Sequence, residues 1–248
     1  MKKILDHPLI SERCFFPKHR HFPDVFVIQS GKYKLACLYH HKEEPLCVIH
    51  FHGNGEEVVD YYNSPLSSIN ASILYAEYRG FGVSTGKPQL VSMMDDIDAF
   101  VRASGYAPEN IVFMGRSIGS IYAIEAVSRY PECAGLIIES GMANVDEFLL
   151  KLISLDELGV REDIFMEACK KYINQKAKLC KFRGKSLIMH TLLDDLIDVQ
   201  SAYDFYKYLE KDSMLCIFDK GSHNSVLFHN KEEYLKNIDL FLCTLLKK

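Results

Sequence analysis

Short runs of apolar, β-branched and aromatic residues recur along the chain and predict eight β-strands. The runs cover residues 25–29, 33–40, 46–51, 72–78, 110–115, 134–140, 185–190 and 214–219. The first two are separated by Ser30, Gly31 and Lys32 and alternate imperfectly, which is typical of an antiparallel hairpin at a sheet edge. The later runs are almost continuously apolar, as expected of strands covered on both faces.

Segments with helical spacing of their apolar residues lie between and after the later strands. They cover residues 56–69, 90–104, 117–130, 200–211 and 231–246. Pro131 stands where the third of these helices would stop, and the last carries an apolar stripe from Tyr234 to Leu245. Alternating strands and helices predict an α/β fold, with a parallel sheet covered by helices on both faces.

Residues 141–181 interrupt this alternation, because two amphipathic stretches, VDEFLLKLISL and REDIFMEACKKYI, lie there between two strands. The simplest interpretation is a helical cap or lid inserted into a single domain that spans residues 1–248. Apolar residues of the insertion, such as Phe148, Leu152 and Phe165, are expected either to line an acyl-chain pocket or to pack the cap onto the core.

The composition is that of an ordinary globular protein, with 48% hydrophobic and 25% charged residues among 248. A net charge of −4 provides no electrostatic footprint for nucleic acid. No apolar run reaches the ~18 residues of a membrane span, and the N-terminus lacks the apolar core of a signal peptide. The eight cysteines are dispersed without a Cys-x-x-Cys pair, which predicts a reducing, cytoplasmic environment.

The sequence NIVFMGRSIGS carries the most informative motif, because an apolar strand leads into a Gly-x-Ser-x-Gly turn and then a helix. Such a sharp turn strains the serine backbone, and glycines on either side remove Cβ atoms that would collide. The hydroxyl of Ser117 would then stand at the carboxyl end of the sheet, beside a helix N-terminus that favours negative charge. We therefore expect Ser117 to be a nucleophile.

A serine hydroxyl is a poor nucleophile until a base takes its proton, so a histidine and an orienting carboxylate are required. Asp194 in TLLDDLID and His223 in KGSHN each follow a later strand run. With Ser117 they give the chain order of serine, acid and histidine that this architecture uses. We expect these three residues to form a catalytic triad. The alternatives left open are Asp195 and Asp198 for the acid, and His190 and His229 for the base.

Acyl transfer also needs backbone donors for the tetrahedral oxyanion. We expect one from the N–H of Ile118, directly after the nucleophile, and the other from Asn54, in the glycine-containing loop that follows the strand run 46–51. His50 and His52 are spaced as a metal pair on a strand would be, but no third ligand is evident. No metal and no cofactor are expected.

Together these motifs resemble the α/β-hydrolase family, over residues 25–246. The matching stretches fall in the family's order and are HGNGE at 52–56, EYRGFGVSTG at 77–86, GRSIGS at 115–120, HTLLDDLID at 190–198 and GSHNS at 221–225. YRGFGVSTG and SHN are most similar to the branch of α/β-hydrolase-domain proteins that includes protein depalmitoylases. The resemblance implies an eight-stranded, mostly parallel sheet with a small helical cap, and the triad Ser117, Asp194 and His223.

The chain departs from that branch at three places. TLLDD stands where a glycine and a threonine usually precede the acid, and Glu77 replaces an aspartate. Arg79 is interpreted as a structural ion-pair residue. Only Cys14 lies in the first 30 residues, so we expect no cysteine-rich segment for lipid anchoring.

We expect a serine hydrolase of carboxylic esters or thioesters (EC 3.1) that acts on a small-molecule or acylated substrate, without nucleic acid and without an integral membrane segment. A peptidase or amidase on the same triad remains an alternative, as does a non-catalytic scaffold that binds a ligand. Epoxide hydrolase and dehalogenase chemistry is disfavoured, because those relatives carry aspartate at the nucleophile position. The sequence predicts neither the acyl-chain length nor the oligomeric state.

Overall fold

Eight strands form one sheet in the computed structural model, which describes residues 1–209 and 212–247. The strands are β1 (Phe26–Ser30), β2 (Tyr33–His40), β3 (Cys47–Phe51), β4 (Ser72–Ala76), β5 (Ile111–Arg116), β6 (Gly135–Glu139), β7 (Lys185–Thr191) and β8 (Ser213–Phe218). Their order across the sheet is β1-β2-β4-β3-β5-β6-β7-β8. The β1–β2 and β2–β4 pairs are antiparallel and the others parallel, so the expected mostly parallel, eight-stranded sheet is confirmed.

The strand order changes direction at β3, which lies between β4 and β5. From β3 the chain goes first to β4 on one side and later to β5 on the other. Such a switch point leaves a crevice at the carboxyl ends of the strands, where ligands bind in open α/β sheets. Phe51 at the end of β3 pairs with Gly115 of β5, so the loops that follow these two strands lie side by side.

Helices cover both faces of this sheet. They are α1 (Lys2–Leu5), α2 (Pro8–Cys14), α3 (Ile97–Ser104), α4 (Gly119–Arg129), α5 (Val145–Leu152), α6 (Leu155–Leu158), α7 (Glu162–Tyr172), α8 (Gln175–Leu179), α9 (Gln200–Leu209), α10 (Val226–His229) and α11 (Lys231–Leu246). None of the helices in the described parts of the chain is both long and apolar enough to cross a membrane.

Some predicted helices differ from the observed ones. Residues 56–69 form two short 3₁₀ segments, Val58–Tyr61 and Pro65–Ser68, because Pro65 and the capping hydroxyl of Ser64 begin a new turn. The predicted helix 90–104 likewise starts as a 3₁₀ segment before α3. The end of the predicted helix 200–211 falls on residues 210 and 211, which lie outside the described residues.

Side chains of successive strand residues alternate between two cores. On one face Ile49, Phe113 and Ile138 pack with α3, α4 and the insertion. On the other face Val48 and Met114 pack against the 3₁₀ segments and α11. Full burial of each such side chain contributes about 1.5–3 kcal/mol. Because both faces of the sheet are covered, the strands appear in the sequence as continuous apolar runs.

The insertion between β6 and β7 contains helices α5–α8, and its apolar residues pack onto the core. Leu149 and Phe165 are buried in the same cluster as the sheet, and Phe148 and Leu152 are half-buried against it. A salt bridge of 2.7 Å between Lys178 and Glu125 ties α8 to α4. These four residues therefore pack the insertion onto the core, which is one of the two roles expected for its apolar side chains.

Candidate active site

The turn between β5 and α4 holds Ser117 in a strained conformation with φ of +53°. Its backbone N–H donates to the Glu139 carbonyl at 2.9 Å, which anchors the turn to β6. A Cβ on Gly115 would lie 2.6 Å from the Gly119 carbonyl oxygen, and one on Gly119 would collide with the carbonyl oxygen of Phe51. Glycine is thus required at both positions, and the turn packs directly on the end of β3.

Three side chains from three strand ends form one hydrogen-bonded chain. His223 Nε2 lies 2.9 Å from Ser117 Oγ, and His223 Nδ1 lies 2.8 Å from Asp194 Oδ2. Ser117 and His223 are 6% and 3% exposed, so water competes little for these bonds. The structure therefore brings the three residues of the expected triad together. The arrangement can take a proton from the serine and stabilise the resulting imidazolium.

The carboxylate of Asp194 is held by donors on both oxygens. The backbone N–H groups of Leu196 and Ile197 donate to Oδ1 at 3.0 and 2.8 Å, and His190 Nε2 lies 3.1 Å from Oδ2. Burial of the carboxyl raises its pKa, but the hydrogen bonds from His190 and His223 outweigh burial and hold the pKa well below its usual range. Asp194 consequently remains ionised and can accept from His223.

The alternative acids and bases occupy other positions. Asp195 is exposed and accepts only a 3.3 Å contact from the backbone N–H of His223, while Asp198 accepts from Gln200 N–H at the start of α9. His229 is exposed on α10. His190 is buried against Asp194 and donates to the Ile197 carbonyl at 2.9 Å.

The two residues expected to bind the oxyanion lie at adjoining loops. Gly119 packs against the carbonyls of Phe51 and His52, which brings the start of α4 beside the loop that contains Asn54. Within the described residues, the N–H groups of Asn54 and Ile118 donate to no other protein group. The side-chain oxygen of Asn54 accepts from the N–H of Phe16 at 2.9 Å, which holds the loop from the outside.

His52 is buried and has an acceptor at each ring nitrogen. Nδ1 lies 2.7 Å from the Gly53 carbonyl and Nε2 lies 2.7 Å from Glu77. Burial lowers the pKa of His52, but Glu77 outweighs burial and raises it above its ordinary value. His50 instead packs between Tyr61 and Tyr75, with ring centroids 4.6 and 5.4 Å away. The two histidines therefore have separate structural partners.

Two polar residues of the site were not expected from the sequence. His190 was considered only as a rival base, although its spacing of four residues from Asp194 could have indicated the contact. Arg116 occupies a variable position of the Gly-x-Ser-x-Gly motif, yet its guanidinium donates to the His223 carbonyl at 2.8 Å. No local sequence signal indicates that contact, because the two residues are 107 positions apart.

The loop after β7 exposes apolar side chains. Leu192, Leu193 and Leu196 are 53%, 60% and 62% exposed on the loop that carries Asp194. In this loop the chain lacks the glycine and threonine that usually precede the acid in the branch of α/β-hydrolases that it resembles.

Several known proteins are similar to this chain in sequence. A family model described as serine aminopeptidase, S33 (Hydrolase_4) matches residues 43–158. The alpha/beta hydrolase domain-containing protein 17C of Mus musculus is 27% identical over 201 residues, which are 77% of this chain and 58% of that protein. The human protein 17B is 25% identical, over 77% of this chain and 64% of that protein. The chain thus spans less than two thirds of the length of these relatives.

Solved structures also superpose on this chain. The Pyrococcus furiosus esterase Pf2001 has a TM-score of 0.71 at 18% identity, over 92% of this chain and 99% of the esterase. Alpha/beta hydrolase domain-containing protein 10 from mouse has a TM-score of 0.68 at 13% identity, over 89% and 99% of the two chains. With the sheet order and the turn at Ser117, these similarities confirm the expected α/β-hydrolase fold and the resemblance of the chain to that family.

Proposed function

We propose that the protein is a serine hydrolase that cleaves carboxylic esters or thioesters through Ser117, His223 and Asp194. The observation that carries the proposal is the position of His223, whose two ring nitrogens lie 2.9 Å from Ser117 Oγ and 2.8 Å from Asp194 Oδ2. One imidazole thereby joins a nucleophile in a strained turn to a carboxylate with a depressed pKa.

Catalysis begins when Ser117 Oγ attacks the acyl carbon and His223 Nε2 takes the hydroxyl proton. Asp194 accepts from Nδ1–H, which selects the correct tautomer and stabilises the imidazolium. His223 then returns the proton to the leaving alcohol or thiol, and an acyl-enzyme on Ser117 remains. Water, activated by the same histidine, releases the carboxylic acid.

The tetrahedral intermediate carries a negative charge on the former carbonyl oxygen. The backbone N–H groups of Ile118 and Asn54 are the proposed donors, because neither has a protein acceptor within the described residues. One donor of this kind contributes roughly 10²–10³ in kcat. The start of α4 (Gly119–Arg129) behind Ser117 adds a favourable helix dipole.

An apolar acyl or alcohol group is the proposed substrate feature, supported by the exposed Leu192, Leu193 and Leu196. Hydrolysis of p-nitrophenyl esters from acetate to palmitate tests the proposal and measures the preferred chain length. Matched p-nitroanilides and acyl thiocholines separate esterase, amidase and thioesterase activity. An anilide preferred over its ester would favour the peptidase alternative.

Two serine variants provide the control for this assay. Ser117→Ala is expected to lose at least about 10³-fold in kcat/KM. Ser186→Ala removes another buried hydroxyl, at the amino end of β7 and bonded to Ser213 at 2.9 Å, and is expected to keep activity. Absence of hydrolysis in the unmodified protein across all substrates would support a non-catalytic scaffold.

The domain organisation and location follow as part of the same proposal. We infer that residues 1–248 form one hydrolase domain in which α5–α8 are a cap, supported by the packing of these helices into the core of the sheet. A reducing, cytoplasmic location is supported by the burial of five of the eight cysteines as separate core residues.

A further inference from the structure

The guanidinium of Arg116 contacts two loops and one strand end of the site. Arg116 ends β5, one residue before Ser117, and its side chain is 9% exposed. Nη1 lies 2.5 Å from Glu56, Nε lies 3.3 Å from Glu139 and Nη2 donates to the His223 carbonyl at 2.8 Å. The loops after β3 and β8 and the end of β6 thus meet on one planar cation.

Glu56 passes this connection on to the oxyanion loop. Its Oε2 accepts from the N–H of Gly53 at 2.7 Å and from the hydroxyl of Tyr61 at 2.6 Å, while its Oε1 faces Arg116. Gly53 directly precedes Asn54, a proposed oxyanion donor. The bonds therefore form a continuous path from the oxyanion loop through Glu56 and Arg116 to His223.

Glu139 supports Arg116 from the other side. It is 3% exposed and accepts from the Tyr234 hydroxyl of α11 at 2.5 Å. Burial raises the pKa of Glu139, while the positive charge of Arg116 lowers it in part. A buried ion pair is weak evidence for stability, since apolar residues of similar volume often stabilise a fold equally well. The position of the Arg116 side chain is thus better explained by the groups that its guanidinium holds together than by a contribution of its charge to stability.

We propose that Arg116 is a positioning residue that fixes the separation of the oxyanion loop and the base His223. The proposal rests on the function proposed above. His223 must meet Ser117 and Asp194 at the same time, so a shift of its backbone carbonyl displaces both catalytic bonds. A misplacement of ~1 Å in a catalytic group can cost about 10²-fold in rate. The planar, forked guanidinium of arginine fits these contacts, whereas the ammonium group of lysine concentrates its donors at one point.

The test compares Arg116→Lys and Arg116→Ala with a matched pair at Arg79. Arg79 is also a buried arginine, paired with Asp96 at 2.6 and 2.8 Å and stacked on Tyr33 at 4.1 Å from the ring centroid. Its replacement breaks a buried ion pair without changing the contacts of Arg116 with Glu56, Glu139 and His223. Four quantities are measured for each variant: kcat and KM for a p-nitrophenyl ester, the rate of fluorophosphonate labelling, and the melting temperature.

We expect Arg116→Lys to lower kcat and the labelling rate roughly 10–100-fold while KM changes less than about threefold. Arg79→Lys is expected to lower the melting temperature similarly but to keep kcat within about threefold. In Arg116→Ala, millimolar guanidinium ion should restore part of kcat, because a cavity of about 370 Å³ beside Arg116 gives it access. The same ion should not raise kcat in Arg79→Ala.

The possible results separate the two proposals. An unmodified protein that is neither labelled nor active overturns the proposed function. If the unmodified protein is labelled and Arg116→Lys reacts at the same rate, the positioning role is wrong while the function stands. A loss of kcat in Arg79→Lys equal to that in Arg116→Lys also overturns the positioning role, since stability alone would then account for it. Arg116→Lys retains the positive charge beside Glu56 and Glu139. If Arg116→Ala does not fold, the comparison of Arg116→Lys with Arg79→Lys therefore still tests the positioning role.

Discussion

His190 Nε2 lies 3.1 Å from Asp194 Oδ2, the same oxygen that His223 Nδ1 contacts at 2.8 Å. Nε2 also donates to the carbonyl of Ile197 at 2.9 Å, and Nδ1 has no partner in the described parts of the chain. Because both neighbours of Nε2 are acceptors, Nε2 carries a proton. His190 therefore helps to hold the Asp194 carboxylate in the orientation in which it contacts His223.

Replacing His190 tests this arrangement. His190→Leu removes the donor and leaves the Ile197 carbonyl unpaired, so we expect kcat to fall roughly 10–100-fold and stability to fall by about 1–3 kcal/mol. His190→Gln keeps an N–H near the position of Nε2 and should retain more activity than His190→Leu. Steady-state kinetics and thermal unfolding measure both effects. Full activity of His190→Leu would remove His190 from the account of the site.

Two adjacent aspartates provide a test of the acid. Asp194→Asn can no longer select the His223 tautomer, and kcat should fall by about 10³–10⁴-fold. Asp195→Asn changes an exposed residue with one 3.3 Å contact, so kcat should stay within about threefold. Ester hydrolysis at neutral pH compares them directly, and the opposite ranking would assign the acid to Asp195.

The buried pair of His52 and Glu77 predicts a pH dependence of stability. The folded-state pKa of His52 is raised, so its ionic contribution is fully present below the unfolded pKa of about 6.5 and is lost as the pH rises through the folded pKa. We expect Glu77→Gln to be less stable than the unmodified protein at pH 6, and the difference to shrink towards pH 9.

Denaturant unfolding across this pH range measures that difference. His229→Gln, at an exposed position of α10, serves as the control and should keep the pH profile of the unmodified protein. A difference between Glu77→Gln and the unmodified protein that stays constant from pH 6 to pH 9 would contradict a charged His52 in the folded state.

Gly119 tests the contact between the nucleophile turn and β3. A methyl group there would collide with the carbonyl oxygen of Phe51, so we expect Gly119→Ala to lower the free energy of unfolding by about 3 kcal/mol or more. Gly159 has a positive φ of 61° with open space around it, and Gly159→Asn should cost less than about 1 kcal/mol. Equal melting temperatures of the two variants would contradict the contact.

Local pattern was sufficient for much of the fold and for the candidate triad. The strands could be predicted because they are buried on both faces, and the turn at Ser117 because glycine is required on either side. Residues 56–69 were harder, since Pro65 divides an apolar segment into two short turns. The short helices α1 and α2 gave too little periodicity to be predicted.

Contacts between residues far apart in the sequence account for the parts of the site that could not be predicted. Phe16 donates to Asn54 across 38 positions of sequence, and no local spacing indicates that the N-terminal segment holds the oxyanion loop. The contact of Arg116 with the His223 carbonyl has the same origin, because it exists only once β5 and β8 have joined one sheet.

The most direct test of the central proposal is the site of covalent labelling by a fluorophosphonate probe, located by peptide mass spectrometry. The account predicts a single adduct on Ser117, no adduct in Ser117→Ala, and strongly slowed labelling in His223→Ala because the base is lost. An unlabelled protein, or equal labelling of Ser117→Ala at another residue, would contradict the assignment of Ser117 as the nucleophile.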